Sequence, residues 1–144
     1  MNRIKITLPD HFHFHTDIKI RITDLNYGGH VGNDVFLALI HEARQQFLMQ
    51  HGYQELSFAG VGLIMADAVL EYKKELNHGD TVRISVCAAD LDKLGFDLFY
   101  KIELVQTDDL VLAGKAKTGM ICYDYSVKKK TPIPEKALQK LQHL

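Results

Sequence analysis

Residues 24–44 read DLNYGGHVGNDVFLALIHEAR, and the change of character within them decides the architecture. The first part, Asp24 to Gly32, carries glycines at 28, 29 and 32 and no apolar periodicity, so it reads as a loop. Asn33 then offers an N-cap, Asp34 puts an acid in the first turn, and helical sequence runs on to a stop at His51-Gly52. Val35 to Ile40 are apolar without a break, and Ala43, Phe47 and Leu48 continue at helical spacing. A helix apolar around most of its girth belongs in an interior. Its polar members, His41, Glu42, Arg44, Gln45 and Gln46, gather in the second half.

Upstream, Phe12 to Thr23 ends in alternation, with Ile18, Ile20 and Ile22 on one side and Lys19, Arg21 and Thr23 on the other, the pattern of a half-buried strand. Downstream, Leu63–Lys74, Thr81–Leu91, Phe96–Gln106 and Val111–Tyr125 read as long strands separated by short turns at Asn77-His78-Gly79-Asp80, Lys93-Leu94-Gly95 and Thr107-Asp108-Asp109. Pro132 to Leu144, with Ile133, Ala137, Leu138, Leu141 and Leu144 as its apolar positions, predicts a short amphipathic helix. The order is one strand, one long helix, then an antiparallel meander. That is an α+β layout in which one sheet wraps around one central helix. Its edge strands invite pairing with a second copy.

The chain has 144 residues, and no Pro-rich linker or repeat divides it, so residues 1–144 are expected to form a single domain. A chain of this length buries roughly 68 % of its unfolded surface, which builds a core but leaves little material to wall in a large substrate. With 17 Lys and Arg against 18 Asp and Glu, no bulk field favours nucleic acid or an anionic membrane. The longest uncharged run, Leu56 to Ala66, is far short of a bilayer span, and the N-terminus lacks a secretory h-region, so a cytoplasmic protein is expected. Cys87 and Cys122 have no partners at zinc spacing and read as reduced, packed thiols. His11, His13 and His15 share one face of an extended segment but lack a carboxylate or Cys at usable spacing. They read as polar cover for an edge strand, and no metal is expected. Gly28 to Gly32 has neither the register nor the Lys-Ser/Thr ending of a phosphate loop.

The loop and helix together resemble the signature of hotdog-fold acyl-CoA thioesterases of the 4-hydroxybenzoyl-CoA thioesterase type, and of related acyl-carrier-protein thioesterases. In these an Asp-x-Asp-x-x-Gly-His-Val-Asn-Asn loop leads into the central helix. Asp24 matches the first acid, Gly29-His30-Val31 the Gly-His-Val, and Asn33 the second Asn, with weaker support from Glu71-Tyr72-Lys73-Lys74 and His78-Gly79-Asp80. The resemblance implies thioester hydrolysis at a site shared by two copies of the chain in a dimer or tetramer. Acyl-CoA or acyl carrier protein would be the partner, with coenzyme A entering only as part of the substrate and no separate cofactor.

One position departs from the signature. Many family members carry the catalytic carboxylate where this chain has Asn26, and an amide has no basic oxygen at neutral pH. The resemblance therefore implies that Asn26 and His30 position a water while another acid accepts its proton, and the candidates are Asp24, Glu42 and Glu71. The unpaired amides at the helix start, at Gly32 and Asn33, are suited to an oxyanion. Tyr27, Gly28, Gly29 and Phe36 are candidates for the substrate surface, although the glycines are equally explained by backbone angles and Phe36 by an ordinary core. Lys73-Lys74 and Lys128-Lys129-Lys130 could meet the phosphates of coenzyme A. The alternative is a hotdog protein that binds acyl thioesters without cleaving them, because of Asn26. A gain of hydrolysis in Asn26→Asp would favour that binder, and a loss would give Asn26 a catalytic part.

Overall fold

The computed structural model describes residues 1–142. Its elements run β1 (Phe14–Lys19), a short 3-10 turn (Ile22–Asp24), α1 (Val35–Gln50), β2 (Gly62–Tyr72), β3 (Thr81–Ala89), β4 (Gly95–Val105), β5 (Leu110–Asp124), β6 (Lys129–Lys130) and α2 (Glu135–Gln142). The strands form one antiparallel sheet in the order β1-β3-β4-β5-β2, with β6 pairing to the end of β5. Each pairing follows from the pleat. In β4, Phe96, Leu98, Tyr100, Ile102 and Leu104 are buried and alternate with less buried residues, so one face of the strand looks at the helix.

Helix α1 lays Phe36, Leu39, Ile40, Ala43, Phe47 and Leu48 on that face, against Val82, Ile84 and Val86 of β3, the inward residues of β4, and Ala113, Ala116 and Met120 of β5. The sheet wrapped around a central helix is the hotdog architecture expected from the sequence. The helix is not enclosed all round, however. Leu37, Ala38, His41 and Glu42 are exposed, because a sheet curling past one side of a cylinder leaves the opposite stripe uncovered. The helix cap also differs from expectation. Asp34, not Asn33, stands at the N-cap, in right-handed helical conformation and with no side-chain capping bond.

The expected first strand is shorter than its alternation suggests. It ends at Lys19, Ile20 remains buried, and Ile22 turns outward as the chain tightens into the 3-10 turn. Helix α2 begins at Glu135, with Ala137 and Leu141 buried; Leu144, assigned to the same apolar face, lies outside the described residues. The N-terminal segment crosses the outer face of the sheet, where Ile6 is buried and its carbonyl accepts a bond of 3.1 Å from Lys115 Nζ. Cys87 and Cys122 are free and buried, and burial pushes both thiols up to about 11, which leaves them unreactive at neutral pH. Among the described residues no helix is long and apolar enough to cross a membrane.

Candidate active site at the start of the long helix

The loop ahead of α1 is a tight hairpin. Arg21 N–H donates to Asp24 Oδ2 at 2.8 Å, with the Arg21 guanidinium 3.5 Å from Oδ1, so the buried Asp24 carboxylate is committed to holding the 3-10 turn. Leu25 and Val31 bridge across the hairpin, and Asn26 N–H donates to the His30 carbonyl at 2.8 Å. The Asn26 side-chain oxygen accepts from Gly28 N–H at 2.8 Å, closing an Asx turn, and Gly29 sits at φ +82°, a backbone region that favours glycine. Tyr27, Gly28 and Gly29 therefore form an exposed tip.

His30 is held at both nitrogens. Nδ1 lies 3.0 Å from Asn77 Oδ1 and Nε2 lies 3.5 Å from Glu75 Oε2. Asn77 is itself fixed, its amide donating to Asp80 Oδ2 at 2.8 Å inside the β2–β3 turn. An imidazolium donates to both partners, and a neutral ring that donates from Nδ1 leaves Nε2 as an acceptor.

At the helix start, Val35 N–H donates to the Gly32 carbonyl at 3.0 Å and Leu37 N–H to the Asp34 carbonyl at 3.1 Å, so the chain enters α1 through three-residue turns. The Gly32 amide is already given to the Asp24 carbonyl at 3.3 Å, which corrects its place among the expected oxyanion donors. The amides of Asn33 and Asp34 donate to no acceptor among the described residues. Tyr72 completes the arrangement. Its hydroxyl donates to the Asn33 carbonyl at 2.9 Å, and its ring meets Phe36 edge-on at 5.1 Å. Burial and the Asp34 charge push the Tyr72 hydroxyl up, so it remains a donor across the neutral range.

The three carboxylates singled out in the sequence do not converge here. Glu42 is exposed on the open stripe of α1 and accepts from Gln46 at 3.0 Å. It shares with Asp24 a groove of about 640 Å³ between β1 and α1, lined also by Asp17, Arg21 and His41. Glu71 lies between Leu70, which packs on the core, and Tyr72, which contacts the helix, so the pleat turns it to the outer face of the sheet. There its Oε2 is buried with no hydrogen-bond partner among the described residues, 3.7 Å from Lys73 Nζ. By contrast Asn33, Phe36, Tyr72, Lys73, Lys74 and Glu75 line one hollow of about 220 Å³ at the helix start. Lys128 to Lys130 are exposed at the β6 end of the sheet. His11, His13 and His15 are exposed, and no group of His, Cys, Asp or Glu among the described residues is placed to hold a metal.

Sequence reasoning missed Glu75, Asn77 and the role of Tyr72. The signal for Tyr72 was present in the strand period, since a residue next to Glu71 must face the other way. The partners of His30 come from a turn far along the chain and leave no local pattern.

The sequence profile of the thioesterase-like superfamily matches residues 20–141. A 1,4-dihydroxy-2-naphthoyl-CoA hydrolase from Microcystis aeruginosa is 29% identical over 119 residues, covering 81% of this chain and 83% of that protein. Among solved structures, a thioesterase superfamily protein from Jannaschia superposes with a TM-score of 0.81 at 16% identity, covering 92% of this chain and 83% of the other. A 1,4-dihydroxy-2-naphthoyl-CoA thioesterase from Synechocystis does so with a TM-score of 0.76 at 22% identity, covering 91% and 98%.

Proposed function

The chain belongs to the thioesterase-like superfamily of thioester hydrolases, and from that premise we propose that it hydrolyses a coenzyme A thioester by direct attack of water at the start of α1. The observation that carries this reading is the pair of unspent amides at Asn33 and Asp34, at the positive end of the α1 dipole and beside Tyr72, in a hollow that Glu75, the ion-pair partner of His30, also lines. Amides fixed in that way stabilise the oxyanion that forms when water adds to a thioester carbonyl, without reorganising during the reaction. Tyr72 contributes by holding the Asn33 carbonyl, which keeps the peptide that carries the Asp34 amide in place. Asn26 shapes the loop tip through its bond to Gly28, and His30, gripped by Asn77 and Glu75, orients the water or the carbonyl. As the carbon–oxygen bond forms the water loses a proton to a base; the carbon–sulfur bond then breaks and the thiol leaves with a proton returned to it.

The surroundings supply two further supports. Lys73 and Lys74 line the same hollow as Asn33, which suits the phosphates of coenzyme A. Strand β2 is an open edge, with Met65 to Ala68 exposed, and pairing of this edge with a second copy would set another chain beside the helix start. The site is then shared between two copies, which fits the little chain left over to wall in a large substrate. The naphthoyl-CoA relatives put aryl-CoA thioesters first among substrates.

The test is thiol release by the purified protein from aryl-, short-chain and long-chain acyl-CoA and from an acyl-carrier-protein thioester. Catalytic release from at least one CoA thioester is expected. Tight binding across the panel with no release would replace hydrolysis by the binding role that Asn26 suggests.

A further inference from the structure

The carboxylate missing at position 26 has a counterpart on the other side of Gly32. A side chain built on Gly32 would begin 2.7 Å from Asp34 Oδ1 and 3.8 Å from Asn26 Cβ, so the Asp34 carboxylate and the Asn26 side chain flank the same bare glycine. The Asp34 carboxylate is exposed, makes no capping bond, and has no hydrogen-bond or ion-pair partner among the described residues. Its own amide is among the unspent donors, and its charge is felt at the Tyr72 hydroxyl. The acids proposed from sequence differ on each count. Asp24 is committed to Arg21, Glu42 faces the β1 side of the helix, and Glu71 lies on the far face of the sheet.

We propose that Asp34 is the general base of the proposed hydrolysis, taking over from the helix N-cap the task that a carboxylate at position 26 performs elsewhere in the family. This assignment rests on the hydrolytic reading above. Water attacks the thioester carbonyl carbon and gives its proton to Asp34 while the unspent amides hold the oxyanion. The protonated Asp34 then returns that proton to the departing thiolate. Gly32 is part of the device, because the absence of a side chain there leaves the carboxylate its position. A Cβ at 32 displaces the flexible end of Asp34 rather than the backbone, so position 32 tunes the base without dismantling the fold.

The test is steady-state thiol release from the best CoA thioester by four proteins whose folding is checked by circular dichroism. They are the unmutated chain, Asp34→Asn, Gly32→Ala, and Asn26→Asp combined with Asp34→Asn. Loss of the base predicts a fall in kcat of about 100-fold or more for Asp34→Asn with little change in KM. Gly32→Ala falls by about tenfold, and the double variant regains at least about tenfold over Asp34→Asn as the carboxylate is restored across the glycine. If Asp34→Asn stays within about threefold of the unmutated chain, or the double variant gains nothing, Asp34 is not the base even though hydrolysis stands. If the unmutated chain itself releases no thiol, the hydrolytic reading fails first.

Discussion

Helix α1 carries two polar regions a few turns apart, and they are built on opposite terms. In its middle, Arg44 is buried, donating from Nε to Glu55 at 2.7 Å and from Nη1 to the Tyr100 hydroxyl at 3.2 Å. Tyr100 in turn lies 2.8 Å from the Thr118 hydroxyl. Burial works against the Arg44 charge, but Tyr100 and Glu55 more than offset it and hold the guanidinium above its ordinary range. At the helix start, by contrast, two amides and a carboxylate have no partners among the described residues, and the loop that brings them there is glycine-rich and solvent-facing. Polar groups that spend their hydrogen bonds inside a core fix a structure, whereas groups left unspent at a rigid, open helix end are available to a substrate.

This contrast predicts a division of effects. Arg44→Ala removes the centre of the buried network and should lower the unfolding free energy by about 3–5 kcal/mol, read from urea denaturation, because Tyr100 and Glu55 lose their partner. Turnover per folded molecule should change little. A stability within about 1 kcal/mol of the unmutated chain would mean that the network is not the structural half of the pair. His30→Ala should do the reverse. It should cut turnover by about 10- to 100-fold, while the exposed pairing with Glu75 contributes no more than about 1 kcal/mol to stability. A large drop in stability with unchanged kcat would make His30 a structural residue.

The sequence disclosed the hotdog frame well, because strand alternation and the glycine-to-apolar switch at residues 32–35 are local and strong. The same switch marks the helix start, where the chemistry is proposed. It misjudged what depends on distant chain. Arg44, grouped with the polar second half of the helix, is buried because Tyr100 and Thr118 arrive beneath it from β4 and β5. Residue type puts the cap at Asn33, but the three-residue turns at Gly32 and Asp34 shift it by one. Glu71 opens the Glu71-Tyr72-Lys73-Lys74 stretch that supports the resemblance, yet a strand period of two sends it to the other face. In sequence Asp34 is an ordinary first-turn acid, and only the fold sets it across the bare Gly32 from Asn26.

The smallest expected effect belongs to the other end of α1. His51 is held below its ordinary value of 6.5 by burial and by the neighbouring Lys140 charge, so the unfolded chain binds the proton more readily. Its contribution to stability is present above pH 6.5 and is lost as pH falls from there toward the depressed folded value. Denaturation midpoints should therefore drop modestly on acidification through that window, and His51→Gln should flatten the drop while leaving the helix-start chemistry alone. An unchanged slope in that variant would show that other groups set the pH response.

The central claim, that the thioester carbonyl is received at the open end of α1, is tested most directly by a crystal structure with a non-hydrolysable coenzyme A analogue that retains the carbonyl. Its oxygen should lie within about 3 Å of the Asn33 or Asp34 amide nitrogen, with the adjacent carbon face turned toward Asp34. A carbonyl seated instead in the groove between β1 and α1, beside Asp17 and Glu42, would contradict the account.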